Sequence, residues 1–479
     1  MIEKTEKLRK KKEERKKKRK SPVRGTTPAG GGVLSGEKKF YYQFIESGPN
    51  VEQMLNIPMM MLFLQHGKVK ELIEELAMAL PQSGSNNYRS NLEMLRLTLF
   101  MIMGGYGSPE DFNAKVAETE REHYRINIGV STFYDWLERI KGYEKILSKF
   151  VEKTAKLFLT WRTCPPYYSG RRKGSGSKMV VDIDASYRES KILWCRRNYK
   201  GDHSFRLLFT HVSSEKTGAK AILKVDVDPG NVNPATGIAE TLKQINMRHD
   251  IGLFRSDSAA YNTNVTNYLD LHGIDWMIGA DLDSAVLDTI GCITNYEPYY
   301  KEDVKTDDMV GSTGHAMNKS GEGFMILNKR VPLASISRQV SFFEILGEKY
   351  KNISIAVSSG YMKEKSLSEI RHDYECRGGQ ESMIANFKQF YDVKAKESLE
   401  KTKVWINLLA IGYNLSLYFL RKDAQKKNRE AAGYFRTAVT SLCGRIIKTG
   451  RKIIVKLWGS HEMLKIAKRM VGKELVLKC

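Results

Sequence analysis

Four carboxylates and three other polar side chains carry the chemical possibilities of this chain. In MVVDIDAS, Asp182 and Asp184 are two residues apart, so strand alternation sets both on one face. In IGLFRSDSAAY, Asp257 stands where an apolar strand gives way to a helix. In YECRGGQESMIANFK, Tyr374, Arg377, Glu381 and Lys388 fall within about 60° of one another if the stretch is a single helix. Three converging carboxylates can hold two divalent cations about 3.5–4 Å apart, which clamp the attacking and leaving oxygens of an in-line phosphoryl displacement. Mg²⁺ suits such hard oxygen donors. Arg377 and Lys388 would then supply phosphate contacts, with a hydroxyl from Tyr374. Each feature also has a plain reading: a solvated strand end for Asp182 and Asp184, a helix N-cap for Asp257, and a salt-bridged face for the helix. One strand face does not decide between Asp182 and Asp184.

The elements that must position these residues read as mixed α/β. SKMVVDIDAS, KILWCRR and SFRLLFTHV read as three strands with short polar connections. NPATGIAETLKQI is helical, IGLFRSD a strand, AAYNTNVTNYLDLHG a helix and IDWMIGA a strand. From about 286 to 370 the chain is rich in strands and turns, including EGFMILNKR, ASISRQVSFFEIL and NISIAVSS, and reads as a β-rich insertion. Before the strands, residues 50–165 carry helical periodicity, with Ser131 the expected N-cap of VSTFYDWLERI. This helical N-terminal domain is a candidate for DNA binding, and a plain helical bundle is the alternative. PPYYSGRRKGSGSK, 165–178, is a linker. It lacks the GxxxxGK[ST] pattern and precedes a strand, which excludes a phosphate loop.

Charge is concentrated at the two ends. Residues 1–24 hold 13 Lys/Arg against 4 Asp/Glu, and residues 421–479 hold 16 against 4. With a formal net charge of +23, the body between them is nearly neutral. Basic ends suit a long polyanion, whose counterions are released on binding, or an anionic membrane surface. Residues 1–35 read as a basic disordered tail. No secretory signal follows it, and VWINLLAIGYNLSLYFL, 404–420, carries two Asn and reads as a buried core helix. The six Cys form no CxxC pair, which argues against a zinc site and a disulfide framework.

Taken together, Tyr374, Arg377, Glu381 and Lys388 meet the signature Tyr-(2)-Arg-(3)-Glu-(6)-Lys, and the chain resembles the DDE transposases of prokaryotic insertion sequences that carry it. DIDAS resembles their first acid motif and FRSDSAAY, followed by GIDWMIGA, the second. NYKGDHSFRLLF and DPGNVNPATG resemble the connecting segments, and GGYGSPEDF and VSTFYDWLERI the N-terminal region, so the likeness runs from about 95 to 455. It implies an RNase H-like mixed sheet flanked by helices: a catalytic core at 175–285 and 371–420, interrupted by the insertion at 286–370, with a basic C-terminal region at 421–479. It implies Asp184, Asp257 and Glu381 as catalytic acids and ligands of two Mg²⁺ ions, for which Mn²⁺ can substitute. Asp184 and Asp257 would share one ion, Asp184 and Glu381 the other, and Tyr374, Arg377 and Lys388 would contact DNA. Metal-assisted hydrolysis would free a 3′-OH that then attacks DNA, with or without a hairpin stage. It implies a homodimer on double-stranded DNA, at terminal inverted repeats and target, and a cytoplasmic, nucleoid-associated prokaryotic protein with no membrane role. Some relatives place a Trp in the insertion against a flipped base. None lies between 277 and 404 here, which leaves a Tyr or Phe for that contact. The competing readings are a transposase-derived DNA-binding protein without catalysis, and an RNase H-like nuclease without strand transfer.

Overall fold

The structure is a computed structural model of the 479-residue chain. It describes residues 40–45, 63–64, 67–83, 89–116, 118, 121, 126–159, 179–213, 220–317, 323–333, 350–363, 365–391, 393–420, 443–449 and 452–458. The basic tail, the linker at 165–178, ASISRQVSFFEIL and most of 421–479 lie outside these residues.

After strand β1 (Phe40–Ile45) the described residues include the helices α1 (Gly67–Ala79), α2 (Asn91–Gly104), α3 (Pro109–Lys115), α4 (Val130–Ile140) and α5 (Glu144–Leu159). Ser90 and Glu93 form a capping box at the start of α2, satisfying donors that the first turn leaves open. α4 begins differently from expectation. Gly129 occupies its cap position with no side-chain cap bond, and Ser131 lies inside the first turn. The buried stripe Phe133, Trp136, Leu137 and Ile140 sets the register of that helix, and the serine does not.

The sheet follows, as β2 (Met179–Glu189), β3 (Arg196–Arg197), β4 (His203–Ser213) and β5 (Lys220–Pro229). Then come α6 (Ile238–Asn246), β6 (Ile251–Ser256), a 3₁₀ turn at Ser258–Ala260, α7 (Thr263–Leu271) and β7 (Asp275–Gly279). β4 pairs antiparallel with β2 and β5, while β2, β6 and β7 run parallel, giving the order β5-β4-β2-β6-β7. Three antiparallel strands continued by two parallel ones, with helices on the faces, is the RNase H-like arrangement expected from the sequence. One member of the expected set is wrong. KILWCRR turns at Ile192–Cys195 and contributes only the two residues of β3. The third long strand is β5, where Val225 and Val227 are buried in alternation with Asp226 and Asp228.

Next come α8 (Ser284–Gly291), β8 (Glu297–Lys301), β9 (Val304–His315), β10 (Phe324–Pro332), β11 (Tyr350–Val357) and the single turn α9 (Ser359–Met362). In space the inserted strands extend the same sheet: β11 pairs antiparallel with β7, and β10, β9 and β8 follow outward. Two helices then return to the core, α10 (Leu367–Glu375) and α11 (Gly379–Phe390), joined by a 3₁₀ turn at Cys376–Gly378. The single helix expected over Tyr374–Lys388 is therefore broken, after Glu375.

α12 (Leu399–Leu420) is buried at every position from Val404 to Leu420. It packs on α2, α4, α5 and β5, which explains why it is apolar all round. Asn414 joins three of these elements. Its side-chain amide donates to Val151 O, Thr154 Oγ1 and Ile222 O, and its carbonyl accepts from Ile222 N. Gly412 allows the close crossing with α2, since a Cβ there would lie 2.7 Å from Ile102 Cγ2. The N-terminal helices and the sheet share one continuous hydrophobic core through these contacts. Finally β12 (Cys443–Thr449) and β13 (Lys452–Trp458) form a hairpin on which β1 lies parallel to β13. Both strands of this hairpin belong to the basic C-terminal region.

Candidate active site

Parallel pairing of β2 with β6 sets Ile183 beside Ser256, and Ser256 Oγ donates to Ile183 O at 2.9 Å. The next residue on each strand is an aspartate. Asp184, midway along β2 where its pairing with β6 stops, and Asp257, just past the end of β6, thus stand side by side at the carboxyl end of β6, where α/β sheets present their ligand sites. Asp257 also caps the 3₁₀ turn, accepting from Ala259 N at 3.2 Å. The plain N-cap reading of this residue is satisfied without removing it from the site.

Asp182 and Asp184 share a strand face but differ in surroundings. Asp182 is fully buried, and both its oxygens are taken by Arg255, at 2.7 and 3.0 Å. Burial would raise its carboxyl, but Arg255 and then Lys220, 3.6 Å away, outweigh that and hold it below the usual carboxylate range. Asp184 is pushed the other way. Burial and the negative charge of Asp257 raise it to about 7, Arg377 opposes them, and Glu381 adds to the rise.

Arg377 stands between the acids. Its Nη1 is 3.5 Å from Asp184 and its Nη2 is 3.8 Å from Glu381. Its Nε is buried with no hydrogen-bond partner among the described residues. The Tyr374 hydroxyl donates to Ser256 O at 3.2 Å, and the Arg377 guanidinium lies 5.4 Å from the ring centroid. This approach needs Gly279, where a Cβ would meet both Tyr374 Oη and Ser258 N at 3.0 Å. Lys388, on α11, donates to Ser186 Oγ at 3.1 Å and Tyr187 O at 2.9 Å, two to three residues beyond Asp184 on β2. An open groove of about 800 Å³ continues from Asp257 and Lys388 along the end of β2, past Tyr187, Tyr199, Lys200 and Lys394.

The structure thus gathers Asp184, Asp257, Tyr374, Arg377 and Lys388 around one strand end. Glu381 is the outlying member: its side chain is 70% exposed and reaches the others only through Arg377. Among the described residues, no three Asp, Glu, His or Cys side chains stand close enough to hold one ion as placed. The donor chemistry nevertheless fits a hard divalent cation. All three acids offer oxygen, and Asp184, raised first by burial and then by Asp257, sits beside a second carboxylate where a cation would serve both. Sequence reasoning missed Gly279, Arg255 and Lys220. The arginine is in plain view in FRSD, but its partner Asp182 reads equally well as a metal ligand. Lys220 lies on the strand that was missed.

An RNase H-like sheet with paired aspartates on adjacent parallel strands and an arginine-linked glutamate defines a class of nucleic-acid phosphoryl-transfer proteins. Residues 175–415 match the family described as Transposase DDE domain, a match spanning half of the chain. The chain belongs to that family. Its members act on DNA in transposition and recombination and use divalent metal ions. Among curated proteins none matches the chain. Among the described residues no helix is long and apolar enough to cross a membrane.

Proposed function

We propose that this protein is the transposase of a prokaryotic insertion sequence and moves its own element by cut-and-paste. In this reading Asp184, Asp257 and Glu381 are the catalytic acids and hold two Mg²⁺ ions, with Mn²⁺ able to substitute. The observation that carries it is the emergence of Asp184 and Asp257 from adjacent parallel strands, with Arg377 linking them to Glu381. When bound, the divalent ions supply positive charge to the attacking and leaving oxygens of an in-line displacement.

The chain's own residues do the rest. Asp184 gives up to solvent the proton that its crowded site favours. Arg377 turns its unused Nε, and the Nη now spent on Asp184, to the scissile phosphate. Glu381 swings inward as Arg377 is released. Tyr374 holds Arg377 in line from below, and Lys388 grips a phosphate further along the strand. The groove past Tyr187 and Tyr199 carries the DNA strand, the helical 50–165 region makes further DNA contacts, and the basic ends add sequence-independent affinity. The working form is a homodimer on paired terminal inverted repeats, in the cytoplasm with the nucleoid.

The outward Glu381 favours a second reading, a transposase-derived protein that binds DNA without cutting it. Product analysis tests the first reading against this one and against a simple nuclease. A duplex ending in the inverted repeat that flanks the gene is incubated with Mg²⁺ and a target plasmid. Joint molecules, with the repeat's 3′ end linked to the plasmid, are expected. Cut ends without joining would indicate a nuclease, and bound but uncut DNA the non-catalytic reading.

A further inference from the structure

Asp182 is fully buried, so it reaches neither substrate nor solvent, yet it carries charge in a place where charge is costly. Its two cationic partners have donors left over, and these converge on one backbone segment. Arg255 Nη1 donates to Asp373 O at 2.6 Å. Lys220 Nζ donates to Cys376 O at 3.1 Å and Arg377 O at 3.4 Å. The three charged residues stand on β2, β6 and β5, and the three carbonyls span the end of α10 and the 3₁₀ turn after it. Helix C-termini leave carbonyls unpaired and carry the negative end of the helix dipole, so two cations are suited to fix such an end.

We propose that Asp182, Arg255 and Lys220 are positioning residues: a buried clamp from three sheet strands that fixes the helix break and so sets where Arg377 and Glu381 stand relative to Asp184 and Asp257. The break has a geometric consequence. Arg377 lies within the 3₁₀ turn and Glu381 in the first turn of α11, so the direction in which α11 leaves the break decides the reach of Glu381. Asp182 keeps the two cations in register and offsets one of their charges. This inference rests on the reading of Asp184, Asp257 and Glu381 as metal-holding acids.

The test compares full-length wild type with Lys220→Met. The substitution keeps the Asp182–Arg255 pair and removes the Lys220 charge beside Asp182 together with the donors to Cys376 O and Arg377 O. Three quantities are read: affinity for the repeat duplex, half-saturating Mg²⁺ for cleavage, and the rise in Tm on adding Ca²⁺ without DNA. Residues that orient metal ligands change metal affinity by roughly 10–100-fold when removed. The expected result is unchanged DNA affinity, a half-saturating Mg²⁺ raised by about tenfold or more, and a Ca²⁺-induced rise in Tm that needs correspondingly more Ca²⁺. An unchanged half-saturating Mg²⁺ overturns the clamp, even if the rate falls. If Lys220→Met does not fold, Lys220→Gln, whose shorter amide does not span both carbonyls, takes its place, and the same results support or overturn the clamp. A wild type that shows no metal-dependent cleavage would overturn the catalytic reading alone. The Ca²⁺ response would then decide the clamp: a variant that needs no more Ca²⁺ than wild type overturns it.

Discussion

Protonation is the simplest way for Asp184 to sit beside Asp257 without a bound metal ion, and burial followed by the Asp257 charge raises its carboxyl to about 7 against the pull of Arg377. The folded value lies above the unfolded one, so the folded state binds the extra proton between about pH 4 and 7. Metal-free stability from this residue is therefore present at low pH and lost as pH rises through that window. Asp184→Asn should raise the Tm of metal-free protein at pH 8, by a free energy on the order of 2–4 kcal/mol, while abolishing cleavage. The gain should vanish near pH 4, and comparing the two proteins across pH by calorimetry isolates this residue from other titrating groups. Gly279 gives a second prediction at this scale. Gly279→Ala forces a Cβ against Tyr374 Oη and Ser258 N. It should cost about 1–3 kcal/mol in chemical denaturation and reduce cleavage strongly through displacement of Asp257 and Tyr374.

Elements were legible in the sequence where pattern alone decides them. Strands β2, β4, β6 and β7 and the buried helix α12 follow directly from alternation and apolar length. The break after Glu375 was not legible, because the four polar residues keep helical spacing across it. What sets it is tertiary: buried cations on one side, and on the other Glu375 held by Tyr299, Lys329 and Arg371. Strand β5 was missed because its alternating valines are interleaved with charged residues that find partners only in the fold, as Asp228 does with Arg206. Of the candidate site, residue types and strand positions were readable, but the division between Asp182 and Asp184 was not. It depends on Arg255, brought to Asp182 by the parallel pairing of β2 and β6. Asn414 tests the packing of α12. Asn414→Leu strands the amide and carbonyl of Ile222, while Val151 O keeps the Thr154 hydroxyl, and should cost about 2 kcal/mol or more. A lower urea midpoint at constant slope would be the measure.

At the scale of the whole molecule, a nearly neutral catalytic body is flanked by basic ends, within a formal net charge of +23. DNA affinity should fall steeply and linearly in log–log form with salt, and deleting residues 1–24 should lessen that slope. Fluorescence anisotropy across a salt series checks this, and the metal dependence of cleavage should survive the deletion. The central claim is that the outward Glu381 closes on Asp184 and Asp257 to complete a metal-holding acid set. Cleavage of the repeat duplex by wild type and Glu381→Gln, with and without Mg²⁺, tests it most directly. The swap keeps shape and removes charge. Metal-dependent nicking at the repeat end, lost in Glu381→Gln with DNA binding intact, is the predicted result. Equal nicking by both proteins would contradict it and leave Glu381 a surface residue.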